Sequence, residues 1–221
     1  MKNVIVIGAS RGLGLEFVRQ YLADGWGVTA TARRTADAKR LTAMGAKTIV
    51  FDAVKSPLSA LARAAAKADL VIYNAGVYGK GNSVGQPTLA RDFDTVMRAN
   101  VFGALRIVPT LAPKLAARGA KLVFISSSMG SMTHANAASG VVYRASKAAL
   151  NMAMRATSLE FGPQGLTTFV LHPGWVKTDM GGPNAALEPS QSVGGMRQVI
   201  AGAGPQYGGK FYDYAGNPLS W

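Results

Sequence analysis

The first fourteen residues constrain the fold more than any other stretch. Lys2 to Ile7 (KNVIVI) is a β-branched apolar run without alternation, the pattern of a strand buried on both faces. Gly8-Ala9-Ser10-Arg11-Gly12-Leu13-Gly14 follows at once, and an amphipathic stretch runs from Leu15 to Leu22. Strand, glycine-rich turn and helix in that order open a parallel α/β sheet. Glycine serves such a turn by taking positive φ, letting backbone approach a ligand and packing helix against strand. The helix N-terminus offers free N–H groups to an anion, so the turn is a candidate cradle for a pyrophosphate. Its spacing is G-x-x-x-G-x-G, distinct from the G-x-G-x-x-G of the longer dinucleotide fingerprint.

The rest of the chain repeats the alternation. Expected strands are Trp26–Ala32, Lys47–Phe51, Asp69–Tyr73, Ala120–Ile125, Leu166–Leu171 and Lys210–Tyr214. Helical stretches are expected near Ala36–Met44, Leu58–Lys67 (with Ser56 as N-cap and Pro57 at the first position), 88–118, Tyr143–Phe161 and Ser190–Ala201. Without an internal repeat or a break in composition over 221 residues, the pattern predicts one doubly wound Rossmann-type α/β domain, 1–221, with a mostly seven-stranded parallel sheet flanked by helices. Within it, about 1–125 would bind a cofactor and about 126–221 would carry catalysis and substrate.

Two arginines, Arg33 and Arg34, close the second strand, where a dinucleotide fold meets the adenosine ribose. An acidic residue there selects the 2′-hydroxyl of NAD, whereas arginine accommodates the 2′-phosphate of NADP. Arg11 in the glycine turn is a second clamp, and the expected preference is NADP(H) over NAD(H). One charge-assisted bond of about 1.5–3 kcal/mol corresponds to roughly ten- to a hundredfold in cofactor choice. Asp52 either accepts from the adenine amine or caps a turn. Asn100, within a helical stretch where asparagine is mildly unfavourable, is either a local bend or a working polar group.

Tyr143 and Lys147 lie four apart at the start of a strong helix former, hence one turn apart on one face. A phenol titrates near ~10, and use at neutral pH needs a shift of about three units, roughly 4 kcal/mol. A neighbouring cation is expected to supply part of that shift downwards. Ser126-Ser127-Ser128 sits at the carboxyl end of the fifth strand, where open α/β sheets bind ligands.

Composition narrows the classes. With no cysteine there are no disulfides, thiolate metal sites or thiol nucleophiles, which suits a reducing cytoplasm. His134 and His172 stand without a nearby carboxylate pattern, so no metal site is expected. His172 reads as structural, and His134 either lines the pocket mouth or is incidental. No segment is long and apolar enough for a signal peptide or membrane span. The formal charge of +13 would suit nucleic acid, but the basic residues are scattered and no nucleic-acid signature accompanies them. A basic surface with one anionic small-molecule pocket is the expectation. A hydrolase built from Ser127, His172 and Asp179 lacks the G-x-S-x-G elbow.

Gly8/Gly12/Gly14, Asn74-Ala75-Gly76, Asn100, Ser127, Tyr143-x-x-x-Lys147 and Pro173-Gly174 occur in one order along nearly the whole chain. In this the sequence resembles the short-chain dehydrogenase/reductase family. Tyr143–Lys147, Pro173–Pro183 and Gly216–Trp221 resemble its branch of C-factor- and sniffer-like carbonyl reductases. The resemblance implies reduction of an aldehyde, ketone or quinone, with Tyr143 as general acid and Lys147 lowering its pKa and holding the nicotinamide ribose. Ser127 would bond the carbonyl; Gly130 three residues on favours it over Ser128. Asn100 would hold a water that links Lys147 to solvent.

The resemblance also implies that Gly8, Ser10, Arg11, Gly12, Leu13, Gly14, Arg33, Arg34, Asp52, Ala53, Asn74, Ala75, Gly76, Tyr143, Lys147, Pro173, Gly174, Val176 and Thr178 meet the cofactor. It implies a small-molecule carbonyl or alcohol partner and a homodimer or homotetramer, with a cofactor-binding sensor as the alternative. The chain departs from the pattern at Ile7 and Tyr73, in a longer Ser127–Tyr143 gap and in a short lid over 179–189, which suggests an open site. Met129, Met132, Trp175, Met180 and Tyr78 are candidates for an apolar substrate wall.

Overall fold

The structure, a computed structural model, describes all residues Met1–Trp221. Seven strands form one sheet: β1 Asn3–Ile7, β2 Gly27–Ala32, β3 Lys47–Val50, β4 Leu70–Tyr73, β5 Lys121–Ile125, β6 Thr167–His172 and β7 Phe211–Asp213. Their order is β3-β2-β1-β4-β5-β6-β7, and all six strand pairings are parallel. The expected seven-stranded parallel sheet is therefore present. Helices are α1 Gly12–Ala23, α2 Thr35–Ala43, α3 Ser59–Ala65, α4 Ala90–Met97, α5 Gly103–Ala116, α6 Val141–Phe161 and α7 Pro189–Gly202.

Both sheet faces are covered, which explains the lack of alternation in the strands. Ile5 and Ile7 of β1 enter one apolar cluster with α5 residues such as Ile107 and Leu111. Val4 and Val6 enter the other, with Phe17 of α1 and Met196 of α7. The strand order reverses between β1 and β4, so a crevice opens beyond their carboxyl ends. No helix is long and apolar enough to cross a membrane.

Two local expectations are corrected. The helical region 88–118 is interrupted by a turn of π-helix, Arg98–Phe102, which carries the fully buried Asn100. The wider turn lets the Asn100 amide leave the helix and bond Val77 through both N–H and C=O, at 2.8 and 2.9 Å. Ser56 does not cap α3; its hydroxyl accepts from the Asp52 amide at 2.8 Å, and Leu58 occupies the cap position.

Candidate active site

The cleft at the strand reversal begins on the glycine turn. Gly8 and Gly12 have φ of +87° and +53°. A Cβ on Gly8 would stand 2.8 Å from the Ala75 backbone, and one on Gly14 would stand 2.1 Å from the Gly8 carbonyl, so these positions exclude side chains. Arg11 precedes α1 in extended conformation and makes no side-chain cap, which leaves the first amides of α1 to an outside acceptor. Asn74 ties the turn to β4 by donating to the Gly8 carbonyl at 2.9 Å. Thr31 accepts from the Gly8 amide at 3.0 Å, a role not signalled by any motif.

A cavity of about 450 Å³ continues from this turn to the end of β5. Ser10, Arg11, Gly12, Leu13, Arg33, Asp52, Ala53, Asn74, Ala75, Gly76, Tyr143, Lys147, Pro173 and Thr178 line it. Five of the residues assigned from the sequence stand behind it instead. Gly14 packs against Gly8, Gly174 packs against Leu187 and Tyr214, Val176 and Ser127 are buried, and Asn100 lies beneath Gly76. Asp52 caps its turn, with Oδ1 accepting from the Val54 amide at 2.8 Å, and it also lines the cavity.

At one end the cavity widens into a basin of about 770 Å³, where Arg11, Arg33, Arg34, Arg40 and Lys55 face Asp37, Asp52 and Asp179. Five cations against three carboxylates leave the basin positive and suited to a phosphate. Arg34 is already engaged: Nε and Nη2 donate to Asp37 at 2.7 and 3.1 Å, and this pairing holds the Asp37 carboxyl below its usual range. Arg11 pairs with Asp179 at 2.7 Å, joining the glycine turn to the segment after β6. Arg40 donates to the Ser10 carbonyl. Arg40 and Lys55 escaped the sequence reading because they come from α2 and the turn after β3, remote from any motif.

At the other end lie Tyr143 and Lys147, on the first two turns of α6 and both buried. Lys147 Nζ donates to the Ile125 carbonyl at 3.0 Å. A Cβ on Gly76 would be 3.2 Å from Asn100 Oδ1 and 3.5 Å from Lys147 Nζ, so a bare glycine keeps these polar groups together. Asn100 Nδ2 also donates to Ser146 Oγ at 2.9 Å. Ser127 Oγ accepts from the Met129 amide at 3.1 Å, and the Ser127 side chain stands near enough to the Tyr143 phenol to favour its ionised form. Ser126 Oγ, buried on the cavity wall, has no partner of its own.

The electrostatics differ from the expectation of a lowered phenol. Burial pushes Tyr143 up to about 12, Ser127 acts against that rise, and Tyr78 adds to it. Burial also lowers Lys147 to about 8. Desolvation is the leading cause of both shifts.

Above Tyr143 the wall is aromatic. The Tyr78 ring lies 4.9 Å from the Tyr143 ring at 46°. Gly140, with φ +69°, leaves room for it, since a Cβ there would be 2.8 Å from Tyr78 Oη and 3.0 Å from Met129 Cε. Met180 lines the cavity, while Trp175 is half-exposed and donates to the Gly181 carbonyl at 2.8 Å. The segment after β6 is a clipped loop, with Leu187 paired to Trp175 and Lys177 through backbone bonds of 3.0 and 2.9 Å. Met132 and His134 are exposed and away from the cavity lining.

The hydrolase arrangement is not assembled: His172 Nδ1 has no partner, and Asp179 is bonded to Arg11. Tyr73, standing where the family pattern has asparagine, is fully buried and donates to the Ala99 carbonyl at 3.1 Å, bracing the π turn beside Asn100.

Comparison with known proteins agrees with this geometry. The family model described as short chain dehydrogenase matches residues 2–188. The "C-signal" protein of Myxococcus xanthus is 42% identical over 155 residues, covering 69% of this chain and 92% of that protein. Among solved structures, the carbonyl reductase Sniffer of D. melanogaster superposes with a TM-score of 0.90 at 27% identity, over 100% of both chains. A carbonyl reductase from Pseudomonas aeruginosa PAO1 in complex with NADP gives a TM-score of 0.88 at 32% identity, again over 100% of both.

Proposed function

The chain belongs to the short-chain dehydrogenase family and is an oxidoreductase of it; on that premise we propose that it reduces a neutral, apolar carbonyl compound with NADPH, Tyr143 acting as general acid. The observation that carries this reading is one continuous crevice, with a cationic basin at one end and Tyr143 and Lys147 at the other, Ser127 standing behind the phenol.

The side-chain-free glycine turn, the uncapped start of α1 and the unpartnered Ser126 hydroxyl fit a dinucleotide. Gly12, Leu13 and the amides beside them would hold the pyrophosphate, the arginine basin the 2′-phosphate, and Lys147 a ribose hydroxyl. When bound, the nicotinamide supplies the hydride. Ser127 orients the carbonyl oxygen, and Tyr143 delivers a proton to it. A phenol raised to about 12 is fully protonated at neutral pH, the form that reduction requires. Lys147, at about 8, remains largely charged at pH 7 and stabilises the phenolate left behind. The buried Asn100 amide orders the Gly76–Val77 segment against which this exchange takes place.

The side chains beside Tyr143 include Tyr78, and Met180 lines the cavity, which supports flat apolar aldehydes, ketones or quinones as substrates. Exposed Phe102, Leu105, Met152 and Leu159 on the α5 and α6 side support a homodimer or homotetramer. The absence of cysteine suits a cytoplasmic location.

Similarity to a protein named C-signal favours one second reading, a cofactor-binding sensor with incidental turnover. A panel of aromatic aldehydes, ketones and quinones, followed by loss of NADPH absorbance, separates the two. Turnover with several members supports the reductase. NADPH binding without turnover of any of them favours the sensor.

A further inference from the structure

The segment after β7 returns across the sheet edge. Leu219 donates to the Phe211 carbonyl at 2.8 Å, and Asp213 donates through its amide to the Asn217 carbonyl at 2.9 Å. Asp213 closes the turn, with Oδ1 accepting from the Ala215 and Asn217 amides, both at 2.9 Å. The hairpin delivers the Trp221 ring onto Phe211, with centroids 5.5 Å apart and planes 17° apart, and Phe211 belongs to the core.

The Trp221 carbonyl then meets the turn that carries Ser127. It accepts from the Met132 amide at 2.9 Å and from Ser131 Oγ at 3.1 Å, with the Thr133 amide farther off at 3.3 Å. Ser131 is buried, and its hydroxyl also accepts from the His134 amide at 3.2 Å. On its other side the same turn is wedged on α6, where Gly130 leaves no room for a Cβ beside Lys147. The Ser127–Thr133 turn is thus held between the helix of Tyr143 and the Trp221 carbonyl. Without the carbonyl, a buried hydroxyl and a backbone amide lose their partner.

Resting on the reductase reading, we infer that Trp221 is a positioning residue: its ring, anchored on Phe211, and its carbonyl fix the turn that presents Ser127 and the Met129 wall to the substrate. The cofactor side of the crevice lies on other elements and does not depend on it. Trp221→Ala removes the anchor, Trp221→Phe keeps an aromatic ring on Phe211, and Ser131→Ala removes a bond from the opposite partner.

The test measures kcat and KM for a bulky aromatic ketone and a small aldehyde, the Kd for NADPH, and hydrogen exchange at the Met132 and Thr133 amides. Trp221→Ala is expected to lower kcat/KM for the bulky ketone by up to roughly 10²-fold, the small aldehyde less, with NADPH affinity unchanged. Faster exchange at Met132 and Thr133 and recovery in Trp221→Phe complete the expectation. Should Trp221→Ala fail to fold, Ser131→Ala is expected to shift the same split in the same direction. Kinetic constants within twofold of the native values for both substrates, or an equal loss for both with unchanged amide exchange, overturn the inference. If the native protein reduces no carbonyl, the reductase reading fails on its own, and protected Met132 and Thr133 amides in Trp221→Ala would separately refute the anchoring.

Discussion

Lys147 Nζ stands 5.6 Å from the centroid of the Tyr143 ring and spends a hydrogen bond on the Ile125 carbonyl. The amine therefore faces the phenol without bonding it. With Tyr143 at about 12 and Lys147 at about 8, the group that changes charge nearest physiological pH is the lysine. Below 8 it is a cation able to stabilise phenolate; above 8 it is neutral and that support is withdrawn.

The pH dependence follows directly. Measured in the reductive direction, kcat/KM for NADPH reports groups of the free enzyme and is predicted to fall as pH rises through about 8. In Lys147→Arg the cation cannot deprotonate, so residual activity should lose that limb. A pH–rate profile of both proteins decides it; an unchanged limb in the variant assigns the titration elsewhere.

Cofactor choice is predicted to depend on Arg33 as well as Arg34. Arg33 forms no ion pair, whereas Arg34 shares its fork with Asp37. Arg33→Ala should raise the Kd for NADPH roughly tenfold or more and leave NADH within about twofold. Asp37→Asn should tighten NADPH by removing a competing carboxylate from the basin. Fluorescence titration with both nucleotides checks each; equal effects on NADPH and NADH contradict the phosphate basin.

Gly130→Ala is predicted to cost both stability and activity. Its Cβ would lie 2.7 Å from Lys147 Cβ and 2.8 Å from the Lys147 carbonyl carbon, where α6 backbone cannot yield. Overpacking of this kind costs about 1–3 kcal/mol, and relief requires the Ser127 turn to move off the helix. Urea unfolding together with kcat measures both effects. A fully active, equally stable variant would refute the tight seating.

Stability is predicted to decline in mild acid. Burial lowers His172 to about 4, from an unfolded value near 6.5. The histidine is folded neutral, so its contribution is complete above about 6.5 and is lost as pH falls from there towards 4, where the unfolded chain alone takes the proton. The size is about 1–3 kcal/mol over that window. Comparing urea midpoints at pH 7 and pH 4.5 for native protein and His172→Asn tests it, the variant being expected to show the flatter dependence.

Much of the fold was legible because its determinants are local. A strand buried on both faces must be apolar at every position, and KNVIVI, DLVIY and AKLVFI announce themselves for that reason. The glycine turn was legible because backbone crowding against Ala75 and Gly8 admits only glycine. The π turn was not, since it depends on Asn100 finding Val77 across the cleft. Arg40, Lys55 and Thr31 likewise reach the crevice only through strand pairing. The Arg34–Asp37 pair does carry a local signal, opposite charges three apart at a helix start. The upward direction of the Tyr143 shift is not legible in the sequence, because spacing reveals a neighbouring cation but not how deeply both groups are buried.

The most direct test of the account is the rate of NADPH-dependent carbonyl reduction by Tyr143→Phe. The substitution keeps the ring against Tyr78 and removes only the hydroxyl. The account predicts a fall in kcat of about 10²–10⁴-fold with NADPH affinity unchanged. A variant that turns over at the native rate would contradict it.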